Sequence, residues 1–100
     1  QKNPDDGKIL KIDKAAREVF VNEKKINLTP KEYELLLYLY ERKNIALSRE
    51  QILNAVWGYE FFGDLRTVDT HIKNLREKLS NASQFIKTIR GFGYKFEVEK

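Results

Sequence analysis

At 100 residues, 41% of them hydrophobic, the chain has material for a single domain with one modest core. It has no cysteine, which excludes disulfides and thiolate metal sites and points to a reducing, cytoplasmic setting. The net charge of +4 is unevenly placed: residues 1–65 carry 11 Lys/Arg against 11 Asp/Glu, whereas residues 66–100 carry 8 against 4. The excess cation therefore sits in the last third, where a polyanionic partner would be met.

The longest apolar run, Leu35–Tyr40, is too short to span a bilayer, and no secretory signal precedes it. The sequence has no methionine and opens in the polar stretch Gln1–Gly7, so a fragment is expected, with a linker remnant over 1–7 and one domain over 8–100. Lys8–Ile12, Arg17–Val21 and Lys25–Leu28 are β-rich runs separated by polar turns, which predicts a small antiparallel sheet.

Thr29-Pro30-Lys31-Glu32 combines an N-cap hydroxyl, proline at the first helical position and a glutamate that completes a capping box. A first helix is predicted from there, with Tyr33, Leu36, Leu37 and Tyr40 on its apolar stripe, widened by Leu35 and Leu39, fading near Lys43-Asn44. Ile45-Ala46-Leu47 reads as an extended link. Ser48-Arg49-Glu50-Gln51 opens a second helix that buries Ile52, Leu53, Val56 and Trp57 and ends at Gly58.

The loop Tyr59-Glu60-Phe61-Phe62-Gly63-Asp64 is dense in aromatics. Phe61 and Phe62 either plug the gap between helices or form a contact surface for another protein, since aromatic anchors concentrate at such surfaces. Asp64 is the expected N-cap of a third helix over Arg66–Leu79. At about 100° per residue, Val68, Ile72, Leu75 and Leu79 share a narrow core-facing arc. Arg66, Thr70, Lys73, Asn74 and Glu77 lie opposite. Thr67, His71 and Lys78 occupy one flank; Asp69 and Arg76 occupy the other, where they can pair with neighbouring parts of the domain.

A basic hairpin follows, with Phe85–Arg90 as its first strand, a Gly91-Phe92-Gly93 turn, and Tyr94, Phe96 and Val98 alternating with Lys95 and Glu97. Thr88 and Arg90 are expected on one side of the first strand and Ile89 on the core side. The whole is α+β, a winged helix-turn-helix with an N-terminal antiparallel sheet, three helices and a C-terminal β-hairpin wing. A helix of 14 residues is about 21 Å long, and the major groove, about 12 Å wide, admits it. Threonine and asparagine approach base edges closely, lysine and arginine reach phosphates or guanine, and Arg90 at the tip of a thin wing suits a narrow minor groove. Double-stranded RNA is disfavoured because its deep, narrow major groove excludes a helix.

Three segments, Ser48–Gly58, Arg66–Leu79 and Ile89–Phe96, resemble the C-terminal effector domain of OmpR/PhoB-type response regulators in order and spacing, over about residues 8–98. The resemblance implies sequence-specific binding of double-stranded promoter DNA as the output of a two-component phosphorelay, with a phosphorylatable receiver domain upstream. It also implies pairing of two copies on repeated half-sites, the isolated domain being a monomer. By position it assigns base contacts to Thr70, Lys73 and Asn74, and phosphate contacts to Arg66, Thr67, His71, Arg76 and Thr88, with Lys78 also on the DNA-binding surface. Arg90 falls in the minor groove and Tyr94 braces the wing. The loop Tyr59–Asp64 corresponds to the segment that in this family can contact RNA polymerase. Relatives often carry arginine where this chain has Asn74, which shifts the expected base preference from guanine towards adenine.

A winged helix that binds a protein partner instead of DNA is the competing reading, and the localised positive charge argues against it. Catalysis is not expected. Asp69, Thr70 and His71 are adjacent on one helix and point apart, so they cannot converge as a triad. No nucleotide-binding glycine loop, cofactor motif or metal cluster is seen in the sequence.

Overall fold

The computed structural model describes residues 9–61 and 63–98. The expected linker Gln1–Gly7 and the loop residue Phe62 lie outside them. Strands β1 (Leu10–Asp13), β2 (Glu18–Val21) and β3 (Lys24–Ile26) form an antiparallel sheet in that order. Leu10 faces Val21 and Val19 faces Ile26 in the register. Asn22 and Glu23 both adopt positive φ, 52° and 69°, as a two-residue loop that matches strand twist requires. Leu10, Val19 and Val21 are turned into the core.

Helix α1 (Pro30–Glu41) starts as its capping sequence predicts. The Thr29 hydroxyl accepts from the Glu32 N–H at 3.1 Å, and the Glu32 carboxylate accepts from the Thr29 N–H at 3.0 Å. Its buried face is centred on Leu35, Leu36 and Leu39, all 0% exposed, with Tyr33 beside them. Leu37 and Tyr40, expected on the stripe, are only partly buried, because α1 is packed from two sides and its contact face is rotated towards Leu35. Helix α2 (Arg49–Trp57) has a second complete capping box between Ser48 and Gln51 and ends at Gly58, with φ 99°.

Helix α3 spans Arg66–Leu79, as predicted. Its N-cap position is Leu65 and not the expected Asp64. Asp64 still serves the helix start, since its carboxylate accepts the Arg66 N–H at 3.0 Å from one residue further out. Val68, Ile72, Leu75 and Leu79 are at most 1% exposed.

The expected hairpin start at Phe85 is displaced. Residues Ser80–Phe85 form a 3-10 turn that tucks Ala82 and Phe85 under the sheet, and the first wing strand begins at Ile86. The link after α1 proves to be a strand. β4 (Leu47–Ser48), β6 (Gly93–Phe96) and β5 (Ile86–Ile89) form a second antiparallel sheet in the order β4-β6-β5. Phe96, 0% exposed, stacks on Phe85 at 5.4 Å and meets Tyr40 edge-on at 5.4 Å, which joins the wing to α1. No helix among the described residues is long and apolar enough to cross a membrane.

Candidate nucleic-acid interface

With four residues of α3 pinned in the core, the opposite face is fixed by helical geometry. Arg66, Thr70, Lys73, Asn74 and Glu77 are all exposed, as are Lys87, Thr88 and Arg90 on the hairpin. Thr67 and His71 are half-buried on the flank. The His71 Nδ1 lies 2.9 Å from the Thr67 carbonyl, and since a carbonyl only accepts, Nδ1 carries the hydrogen. The imidazole also stands edge-on to Trp57, 4.9 Å between centroids, so its orientation is held from two sides. Arg66 donates to the Asp64 carboxylate at 3.1 and 3.3 Å, which holds that carboxyl below its ordinary pKa. The pair is largely solvated and contributes little to stability.

The expected interface residues divide into those that face outward and those that the domain itself engages. Arg76 donates to the Ile86 carbonyl at 2.8 Å and to the Thr88 hydroxyl at 2.9 Å, so it straps α3 to β5. Lys78, expected on the DNA-binding flank, turns to Glu32 at 2.7 Å. Glu32 is 4% exposed. Burial pushes its carboxyl up, but the Lys78 ammonium and the Thr29 N–H and hydroxyl outweigh that and leave its pKa lowered.

Tyr94 is buried and its hydroxyl donates to Asp69 at 2.6 Å. Burial first, then the hydrogen bond to the Asp69 carboxylate, push the phenol up to about 12. Tyr94 is therefore a neutral donor across the physiological range. The other Asp69 oxygen accepts from Arg49 at 2.8 Å. One carboxylate thus joins α3, the start of α2 and the second wing strand, and its charge is compensated by Arg49.

Arg49 was not among the residues expected at the site. It follows the N-cap serine of α2, and the sequence pattern marks only that helix start, because which residue meets Asp69 depends on the packing of α2 on α3. Gly93, expected in the turn, opens strand β6. Its need is a close approach instead: a Cβ there would strike the Leu47 carbonyl and crowd the Ser48 backbone. The turn glycine is Gly91, with φ 73°, and the Ile89 carbonyl accepts from the Phe92 N–H across it at 2.9 Å. Arg90 therefore sits in the turn and not on the strand beside Thr88. In the loop before α3, Tyr59 is 87% exposed, while Phe61 is 38% exposed and leans on Trp57 at 6.2 Å. Phe61 thus both packs and remains accessible.

The family pattern described as "Transcriptional regulatory protein, C terminal" matches residues 23–96. Over 96 residues, 92% of this chain, the sequence is 56% identical to the transcriptional regulatory protein SrrA of Staphylococcus aureus. The chain spans about 40% of that protein's length. The response regulator DrrB of Thermotoga maritima, an OmpR/PhoB homologue, superposes with a TM-score of 0.81 at 40% identity, covering 89% of this chain and 42% of DrrB. The DNA-binding domain of Klebsiella pneumoniae RstA, solved in complex with the RstA box, gives 0.78 at 32% identity, covering 88% of this chain and 90% of that one. The chain belongs to the family of OmpR/PhoB-type transcriptional regulatory C-terminal domains, and its fold is their winged helix.

Proposed function

We propose that this domain binds double-stranded promoter DNA sequence-specifically as the output end of a two-component transcription regulator. The observation that carries the reading is the outward face of α3. Arg66, Thr70, Lys73 and Asn74 are presented opposite the four core residues, with the hairpin strapped alongside by Arg76 and Tyr94. Such a face can enter a major groove while the cationic wing reaches the neighbouring minor groove. The DNA complex of RstA and the family membership support it.

Thr70, Lys73 and Asn74 are proposed to meet base edges. Arg66, Thr67 and His71 are proposed to meet phosphates, and Arg90 the minor groove. Arg76, Thr88, Lys78 and Tyr94 are engaged inside the domain, so their contribution includes holding the two reading elements in register. Arg49, at the α2 N-terminus beside the wing, is added as a phosphate neighbour. The exposure of Tyr59 and Phe61 supports the loop Tyr59–Asp64 as a polymerase contact in the longer protein. A single module of this kind buries about 600–1,000 Å² on DNA. An area of that size supports weak binding by one copy, and the proposal includes tight binding by two copies on repeated half-sites under the control of an upstream receiver domain.

Selection of bound duplexes from a random pool, with affinity measured across a salt series, tests the reading. A recurrent motif is expected, together with a log–log salt slope of about 0.9 per phosphate contacted. Affinity flat in salt and no enriched sequence would instead favour a protein partner for α3.

A further inference from the structure

The tip of the wing carries a large apolar ring that the domain's own packing leaves half outside. Phe92 is 47% exposed. Its backbone is nevertheless held on both sides. The Phe92 N–H donates to the Ile89 carbonyl at 2.9 Å, and the Phe92 carbonyl accepts from the Arg49 N–H at 3.3 Å. Gly91, beside it, opens onto free space and keeps the turn thin. Arg90, exposed and two positions before Phe92 in the same turn, puts a cation at the wing tip, and Lys87, also exposed, adds another along β5. A lone exposed apolar residue is ordinary on a protein surface; what sets Phe92 apart is a backbone anchored on both sides at the wing tip, two positions from Arg90.

We propose that Phe92 is the apolar half of the wing's DNA contact, packing its ring against the deoxyribose walls of the minor groove that Arg90 enters. The inference rests on the DNA-binding reading above. Two features fit this occupant over others. The ring is continuous with the cationic wing surface, and the C–H faces of the sugars are the apolar groups a minor groove offers next to its phosphates. Apolar side chains used beside cations are a recurring device of minor-groove recognition. Such a contact adds affinity that salt does not screen, whereas the Arg90 contribution is screened.

The test uses the full chain and duplexes carrying one or two half-sites recovered by selection, with binding followed across a salt series. Phe92→Ala is expected to bind about five- to tenfold more weakly at every salt concentration, with the slope unchanged because no charge is lost. Phe92→Leu should retain most of the affinity. The melting temperature of both variants should stay near that of the parent, since the ring lies half outside the core. Binding of Phe92→Ala within about twofold of the parent would overturn the proposal. So would a changed salt slope, or a loss confined to duplexes with two sites, which would assign the ring to a second copy. If the unaltered chain shows no salt-dependent duplex binding, the DNA reading itself fails and Phe92 falls with it.

Discussion

Arg76 and Thr88 stand 12 positions apart in the chain, yet the guanidinium donates to the hydroxyl at 2.9 Å and to the Ile86 carbonyl at 2.8 Å. Through this strap the helix proposed to enter the major groove is tied directly to the strand that leads into the wing. Rigidity matters because two reading elements that move independently would each have to be ordered on binding.

Arg76→Ala removes two charge-assisted hydrogen bonds at a half-exposed site. A loss of about 1–2 kcal/mol is expected, seen as a melting temperature lower by roughly 4–15 °C for a domain of this size. Backbone amide exchange in β5 should accelerate relative to that in α1. Both bonds come from one guanidinium nitrogen, and Arg76→Lys, which keeps the charge but has a shorter reach, should restore only part of the loss. Unchanged exchange in β5 would show that the strap does not hold the wing.

Asn74 and Arg90 should fail in different ways. Asn74→Ala is expected to flatten discrimination among half-sites, by about 1–3 kcal/mol at one base pair, while random duplex is bound almost as before. Arg90→Ala should weaken binding to all duplexes and lower the salt slope by about one unit. Competition binding over a salt series separates the two patterns. Equal loss on specific and random DNA would remove Asn74 from base readout.

The Glu32–Lys78 pair makes stability depend on acid. The Glu32 carboxyl titrates lower in the folded domain than in the unfolded chain. Its contribution is therefore complete above the unfolded carboxylate value, about 4.3, and is lost as pH falls through the folded value. Denaturant titrations from about pH 6 to pH 3 should show this fall, shallower in Glu32→Gln. Lys78→Met should destabilise more than Glu32→Gln at neutral pH, by about 2 kcal/mol or more, because it strands a buried carboxylate.

The two wing glycines should respond unequally to alanine. Gly91→Ala meets no atom within 4 Å and suffers only from its φ of 73°, about 1 kcal/mol. Gly93→Ala must push β4 away from β6 and should cost several times as much, read by chemical denaturation. Similar losses for both would mean that β4 yields easily.

Much of this domain is written locally. The capping boxes at Thr29 and Ser48 and the spacing of Val68, Ile72, Leu75 and Leu79 depend on residues three or four positions apart, so the sequence alone placed the starts of α1 and α2 and the outward face of α3. The neighbours of Asp69, Arg76 and Lys78 were another matter. Periodicity put Asp69 and Arg76 on a flank where pairing was expected, but the partners Arg49, Tyr94, Thr88 and Glu32 come from elements up to 46 positions away, and only packing brings them within hydrogen-bonding distance. The β4–β6 pairing that demands a glycine at 93 is likewise invisible from either segment, because a strand of two residues has no periodicity to detect. Local rules fix which side of a helix is wet. Long-range packing decides which of its charges remain available to a partner and which are spent holding the domain together.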